Sequence, residues 1–81
     1  MYNVRIAIAN SGTKFYFGGS EDHRIVIDPI NNTPMYVRGV LHREDGPAIE
    51  CINSYKEFYL DGIRIKTLEE FDRLVKLKAF W

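Results

Sequence analysis

The chain has almost no cysteine and no surplus of charge of either sign. Cys51 is the single cysteine among 81 residues, so no disulfide can form within the chain, which predicts either a reducing compartment or indifference to the compartment. We expect its thiol to behave as a small buried hydrophobe. Eleven basic and eleven acidic side chains cancel. Without a basic field, nonspecific binding to nucleic acid or to an anionic membrane is not expected.

Long apolar runs and the signature loops of common enzymes are missing as well. A membrane-spanning helix needs about 20 apolar residues, and no run in this sequence approaches that length. Met1-Tyr2-Asn3-Val4-Arg5 alternates instead of placing a basic head before an apolar block, so we expect no signal peptide. A phosphate-binding glycine loop, a cysteine pair and a nucleophile elbow are all lacking. We therefore expect a cytoplasmic protein that is not an enzyme and needs no metal or cofactor.

The sequence does contain short segments in which apolar and polar residues alternate, the pattern of half-buried strands. Turn residues separate these segments: Asn10-Ser11-Gly12, Gly18-Gly19-Ser20-Glu21-Asp22, residues 29–34, Asn53-Ser54 and Asp61-Gly62. The larger residues of two segments are expected to face the core: Tyr2, Val4, Ile6, Ile8, Ile25 and Ile27. The predicted fold is one α+β domain spanning residues 1–81. An antiparallel β-meander of hairpin repeats, with six to seven short strands, occupies residues 1–65, and one C-terminal α-helix over 66–81 packs on one face.

The period changes at Thr67, where the helix is predicted to begin. Thr67-Leu68-Glu69-Glu70 is a capping box, in which the Thr67 hydroxyl accepts from the amide three residues on and Glu70 reaches back. The apolar residues that follow fall on one broad face, which we expect to cover the sheet: Leu68, Phe71, Leu74, Val75, Leu77 and Trp81.

Three segments share the pattern apolar, Tyr, apolar, any residue, Gly. They begin at Phe15, Met35 and Phe58, so they lie 20 and 23 residues apart, a period typical of hairpin arrays. The residues flanking each tyrosine are apolar and are expected to face the core. Alternation then predicts that three tyrosines share the outer face: Tyr16, Tyr36 and Tyr59. They either form a recognition surface or only stiffen a one-layer sheet by cross-strand packing.

The densest group of charged residues lies in residues 41–50. Asp45-Gly46 is a strong turn signal and Pro47 suits the start of a strand, so a turn between two antiparallel strands is predicted. Four side chains gather at this turn: His42, Arg43, Glu44 and Asp45. These residue types can bind a metal or act as acid and base, but a short turn positions them loosely. We interpret them as a solvated charge cluster, with a two-histidine metal site of His23 and His42 as the alternative.

A known repeat resembles this part of the chain. Its pattern, G-x-x-H-R-x-D-G-P-A followed by an aromatic residue, Tyr, any residue, Asn or Asp, and Gly, is matched by residues 39–50 and 57–62. The repeat occurs in small phage-encoded and bacterial proteins and is similar to MORN repeats. The resemblance covers residues 35–72, including the start of the helix, whereas residues 20–24 of the first unit depart from it. It implies a hairpin scaffold, a bacteriophage source and no catalytic residues.

The resemblance and the polar surface together predict a function. We expect a non-enzymatic phage accessory protein that binds a bacterial host or defence protein, and inhibits or redirects it, in the host cytoplasm. The expected contact residues are Tyr16, Tyr36, Tyr59, Arg38, His42, Arg43, Glu44 and Asp45. The alternative is an oligomeric module that binds a small molecule or nucleotide, as a sponge, by stacking tyrosines with Arg38 or Arg43. The exposed edges of a short meander also predict homo-oligomers.

Overall fold

The computed structural model describes residues 4–78, which form six strands and one helix. The strands are β1 (Arg5–Ile8), β2 (Lys14–Ile27), β3 (Pro34–Leu41), β4 (Ile49–Glu50), β5 (Lys56–Leu60) and β6 (Ile63–Ile65), and the helix is α1 (Leu68–Lys78). All strand pairs are antiparallel and the sheet is curled, so the predicted mostly-sheet α+β class is confirmed. Within residues 4–78, no helix has the length and apolar character to cross a bilayer.

Two predicted hairpin turns form as their residues require. β1 and β2 are joined through Gly12, whose φ of 91° costs glycine nothing, and the Ala9 amide donates to the Thr13 carbonyl at 2.9 Å. β5 and β6 are joined by Asp61 and Gly62, with φ values of 53° and 81°. Positive φ at both central residues is the mark of the type I′ turn, whose twist matches that of the flanking strands.

β3 and β4 do not pair with each other, so the predicted hairpin across the charged residues is wrong. Leu41 of β3 lies opposite Phe17 of β2, and Ile49 of β4 lies opposite Phe15 of the same strand. The two strands therefore run end to end along one edge of β2. The order is β1–β2–β4–β5–β6, with β3 also beside β2, so the sheet is not a simple meander.

The predicted turn at residues 18–22 does not separate two strands, because β2 continues through it. Pairing with β3 is interrupted between Gly18 and His23, and four residues of β2 there stand opposite Gly39 alone. Gly39 has a φ of 123°, and a Cβ at this position would lie 2.6 Å from the Gly18 carbonyl oxygen. A side chain does not fit where the two strands approach so closely.

The apolar residues form two clusters on opposite faces of the sheet. We call the face that carries Phe15 the inner face and the other the outer face. The inner cluster fills the curl of the sheet: Ala9, Phe15, Phe17, Val37, Leu41, Ala48, Ile49 and Cys51. The inward positions predicted for Phe15 and Phe17, and the buried thiol of Cys51, are thereby confirmed. The outer cluster joins β5 and β6 to the helix: Leu60, Ile65 and Phe71.

The predicted orientation of β1 is wrong. Ile6 and Ile8 are 56% and 64% exposed, while the smaller Ala7 packs against the inner cluster. The residues alternate as expected, but the pairing of β1 with β2 determines which of the two alternating groups faces inward. Ala7 lies opposite Phe15, which places Ile6 on the outer face. Tyr2, which belongs to the same predicted set, lies outside the described residues.

The distal part of β2 is reversed in the same way. Ile25 and Ile27 are exposed, whereas Val26 and its partner Met35 pack against the inner cluster. Val37, two residues after Met35, is buried on that same face. The inner face is therefore lined here by Val26, Met35 and Val37, while the isoleucines of β2 lie on the outer face.

The helix begins as predicted after Thr67, whose hydroxyl accepts a 3.1 Å hydrogen bond from the Glu70 amide. Its buried Phe71 packs with Leu60 of β5 and Ile65 of β6, whereas Phe15 and Phe17 lie in the separate inner cluster, so the prediction of one apolar face that carries all of these strand residues and packs on the helix is wrong. Phe71 is buried there, whereas Leu68 of the predicted apolar face is exposed, as is Leu77. Trp81 lies outside the described residues.

Candidate functional site

Residues 42–48, hereafter the charged loop, are inserted between β3 and β4 opposite a single residue of β2. The His42 amide donates to the Tyr16 carbonyl at 3.0 Å, and the Tyr16 amide donates to the Ala48 carbonyl at 2.8 Å. On the β5 side, the Ala48 amide donates to the Glu57 carbonyl at 2.9 Å. Both ends of the loop are thus held by the neighbouring strands, and its position is set by the sheet.

His42 lies at the base of the charged loop and is 1% exposed. Its Nδ1 accepts a 2.9 Å hydrogen bond from the Asp61 amide, and its Nε2 lies 3.2 Å from Oε2 of Glu44. Because an amide can only donate, the ring proton sits on Nε2 and is donated to Glu44. His42 therefore fastens the loop to the β5–β6 turn and orients the Glu44 carboxylate.

Arg43 closes the charged loop on the outer face. Its Nε donates to Oδ1 of Asp45 at 2.8 Å, and its Nη1 donates at 3.2 Å both to the Pro47 carbonyl and to Oε1 of Glu50. The guanidinium stacks on the Tyr16 ring, 3.9 Å from the ring centroid. Burial alone would lower the pKa of Arg43, but the hydrogen bond to Asp45 and the nearby acidic groups raise the pKa above its ordinary value.

On the outer face, a groove of about 490 Å³ separates the charged loop from β1 and from the residue that precedes β1. Val4, Ile6 and Tyr16 form its apolar side, and Glu44 and Asp45 form its acidic side. The Asp45 side chain is 86% exposed. The hydrogen bond from the loop guanidinium lowers the pKa of Asp45, so this carboxylate is charged at neutral pH. The groove therefore offers an apolar surface beside fixed negative charge.

The structure gathers five of the eight predicted contact residues at this groove: Tyr16, His42, Arg43, Glu44 and Asp45. Two others lie apart from them on the outer face of β3. Tyr36 is 72% exposed, and Arg38 forms an exposed ion pair with Glu21 at 3.6 Å. The groove residues Val4 and Ile6 were missed because a regular strand pattern assigned them to the core.

Tyr59 contradicts the predicted row of three outward tyrosines. Ile49 lies opposite both Phe15 and Glu57, so Glu57 faces inward, and Tyr59, two residues on, faces inward with it. Tyr59 is half-buried against the inner cluster, and its hydroxyl donates to Oε1 of Glu57 at 3.3 Å. Burial, followed by the negative charge of Glu57, raises the pKa of Tyr59. Tyr59 is thus part of the core rather than of an exposed surface.

A buried carboxylate that the sequence interpretation missed is Asp28, directly after β2 and 1% exposed. Ser11 and Thr13 donate their hydroxyls to its two oxygens at 2.5 and 2.8 Å, and the Ile30 amide donates at 3.0 Å. Burial would raise the pKa of Asp28, but these three hydrogen bonds outweigh it and lower the pKa below the ordinary 3.8. Thr13 precedes β2 and Asp28 follows it, so the contact ties together the two ends of the curled strand.

The polar side chains give no sign of a metal site. Within residues 4–78, no group of three His, Cys, Asp or Glu side chains is arranged to hold a metal ion. His23 lies opposite Arg38, four residues along the chain from His42 and so roughly 13 Å away at 3.3 Å per residue, too far to share a metal. In the same part of the chain, every buried polar side-chain atom has a hydrogen-bond partner.

Comparison with known proteins adds no relative from which a role can be transferred. No family model, no curated protein and no solved structure matches the chain. The groove and the exposed apolar residues beside it are the features from which a function is inferred.

Proposed function

We propose that this protein is a non-enzymatic phage-type accessory protein that binds a bacterial host or defence protein through the outer face of its sheet, and so inhibits or redirects it. The observation that carries the proposal is the exposure of six apolar side chains on or beside β1, β2 and β3: Val4, Ile6, Ile8, Ile25, Ile27 and Tyr36. Single exposed apolar residues are common on any protein. The presence of six of them on the same face of one sheet favours a protein interaction site there.

The shape of the molecule favours a protein partner. The described residues extend 37 × 28 × 15 Å, so the sheet is thin and its outer face is broad. α1 packs on the β5–β6 end of that face. A partner that covers the β1–β3 region would remove several large apolar side chains from water, which contributes roughly 25 cal/mol per Å² buried.

The state of the polar residues favours binding over catalysis. A general acid or base must be within reach of the reacting atoms. His42 is instead buried and engaged by the Asp61 amide and by Glu44. Arg43 is likewise held by Asp45 and by neighbouring oxygens. These side chains support the surface rather than supply a reactive centre.

The charges also favour a protein over a nucleotide as ligand. Stacking between tyrosine and arginine was the basis of the nucleotide alternative, but Arg43 already covers Tyr16 and bonds to two carboxylates. The acidic side of the groove is formed by Glu44 and Asp45, which would repel phosphate. Arg38 lies elsewhere, in an ion pair with Glu21.

The test is capture of a partner from a bacterial lysate, followed by reconstitution from purified components. The wild-type chain is immobilised beside the double variant Ile6→Lys and Ile25→Lys, which charges the outer face. Leu68→Lys is the matched control, because Leu68 at the start of α1 is 57% exposed, as Ile6 is at 56%. A single partner that forms a stoichiometric complex with wild type and control, but not with the double variant, is expected.

Two other results would contradict the proposal. A partner that binds the double variant as tightly as wild type would move the interface away from the outer face. The absence of any protein partner, together with a rise in melting temperature on addition of cyclic nucleotides, would support the small-ligand alternative.

A further inference from the structure

The two sides of the groove differ in chemistry, and the difference fits one kind of side chain. Val4, Ile6 and the Tyr16 ring provide an apolar wall, while Glu44 and Asp45 face it with carboxylates. Lysine and arginine carry a long apolar stem and a charged head, and they bury the stem along apolar surface while the head remains polar. A groove of about 490 Å³ has room for one such side chain and part of its neighbours.

The charge of the loop selects a cation. Two carboxylates bond to one guanidinium, because Arg43 pairs with Asp45 and with Glu50, and the Glu44 carboxylate also lines the groove. The excess is therefore negative. The Glu44 carboxylate accepts from His42, and the Asp45 carboxylate, whose side chain is 86% exposed, faces solvent beside the guanidinium.

The groove is formed before any ligand arrives. Both ends of the charged loop are bonded to Tyr16, and the loop base is fixed by the contact of His42 with the Asp61 amide. Asp45 and Glu50 hold the guanidinium over the ring. A partner would not have to order these groups, which lowers the entropic cost of association.

Resting on the proposed protein-binding function, we infer that the groove receives a lysine or arginine side chain of the partner, flanked by aliphatic residues. The aliphatic stem lies on Val4 and Ile6, and the cationic head donates to Glu44 and Asp45. This contact anchors a partner segment that is basic and apolar in alternation. The exposed isoleucines farther along the outer face then meet the rest of the partner.

The first experiment uses two synthetic peptides, acetyl-Leu-Arg-Leu-amide and acetyl-Leu-Glu-Leu-amide, and amide NMR spectra of the isotope-labelled chain. The arginine peptide is expected to produce saturable shifts at Ile6, Tyr16, Glu44 and Asp45. The glutamate peptide should bind at least about tenfold more weakly, since opposite charge is replaced by like charge. Equal affinity for both peptides, or saturable shifts elsewhere only, would overturn the inference.

A second experiment removes the negative charge without changing the apolar wall. The double variant Glu44→Gln and Asp45→Asn is compared with Glu69→Gln and Asp72→Asn on α1, whose side chains are also exposed. Both double variants change the net charge equally. The loop variant should weaken binding of the arginine peptide by about tenfold, and the helix variant should leave it within about twofold.

Folding and function are read separately from the groove. The NMR spectrum of each variant reports whether the fold is kept. Ile6→Lys should weaken binding of the arginine peptide by charge repulsion, and it leaves the charged loop unchanged. If the purified partner binds the loop double variant as tightly as wild type, the groove inference fails while the proposed function stands. If no protein partner is captured at all, the proposed function fails whatever the peptides do.

Discussion

The charged loop and β1 face each other across the groove, and both depart from the usual pattern in which apolar side chains are buried and polar side chains are exposed. In the loop, the polar residues build the structure: His42 is almost wholly buried, and Arg43 donates three hydrogen bonds. In β1, the large apolar residues Ile6 and Ile8 are more than half exposed. Small proteins generally bury isoleucine and expose arginine.

The departure from the usual burial pattern has a physical cause in each region. The charged loop leaves the strand ladder, so its backbone loses regular partners, and side chains of the loop supply replacements. The Pro47 carbonyl, for example, accepts from Arg43. β1 keeps its ladder with β2, and this pairing places Ala7 opposite Phe15 on the inner face, where Ala7 and Ala9 pack in the inner cluster. The isoleucines are thereby left on the outer face.

The largest effect is expected from His42→Ala in the charged loop. The substitution removes a buried ring, leaves the Asp61 amide without its acceptor and opens a cavity. The free energy of unfolding should fall by about 2–4 kcal/mol, measured by urea denaturation. His23→Ala is the control, because His23 is exposed, and it should change stability by less than about 0.5 kcal/mol. Equal losses in the two variants would show that the loop is not held by its histidine.

The next effect concerns Asp28, whose contact with Thr13 ties together the two ends of β2. Its folded-state pKa lies below the ordinary 3.8, so its contribution to stability is present above that pH and is lost as pH falls through the folded value. Asp28→Asn should lower the free energy of unfolding at neutral pH by about 1–3 kcal/mol. It should also flatten the loss of stability that is expected for the wild type between pH about 5 and about 2.

An acid-denaturation series separates Asp28 from other carboxylates. Asp45→Asn is the companion variant, because its pKa is also lowered but its side chain is exposed. The pH dependence should change more in Asp28→Asn than in Asp45→Asn. The reverse order would mean that the loop, and not the curl, carries the acid sensitivity.

Local signals in the sequence predicted two of the hairpin turns and the helix start correctly. Asp61-Gly62 and the glycine at position 12 need positive φ, and Thr67 needs only its own helix to act as a cap. Such features depend on a few neighbouring residues. The α+β class followed from the same local patterns. These predictions succeeded because nothing distant in the chain competes with them.

Long-range pairing set the rest, and alternation alone does not reveal it. The strands at residues 34–50 look like a hairpin, but both lie along β2, since Phe15 and Phe17 select partners on either side of the charged loop. A shift of register by one residue exchanges the two faces. The same applies to Tyr59, whose direction is fixed by the pairing of Glu57 with Ile49. The groove was therefore only half predicted: its charged side was visible in the sequence, its apolar side was not.

A smaller effect is expected from Arg43→Lys. Lysine keeps the charge but has no planar fork, so it cannot stack on Tyr16 while bonding to Asp45, Pro47 and Glu50 together. The free energy of unfolding should fall by about 1–2 kcal/mol. Arg38→Lys is the control, because Arg38 is exposed on β3, and it should change the free energy of unfolding by less than about 0.5 kcal/mol. A loss of the same size in both variants would reduce the role of Arg43 to its charge alone.

The smallest effect is expected on the other side of the groove, from Ile8→Lys in β1. Ile8 is 64% exposed, so replacing it removes little buried apolar area, and the free energy of unfolding should change by less than about 0.5 kcal/mol. Sedimentation of wild type and variant is measured at the same protein concentrations. If Ile8 packs against a second copy, the variant will lose both stability and mass, and the exposed face will be a homo-oligomer interface. Unchanged mass and stability would show that Ile8 contributes neither to folding nor to self-association. An exposed apolar residue of that kind is expected in a binding site for another protein.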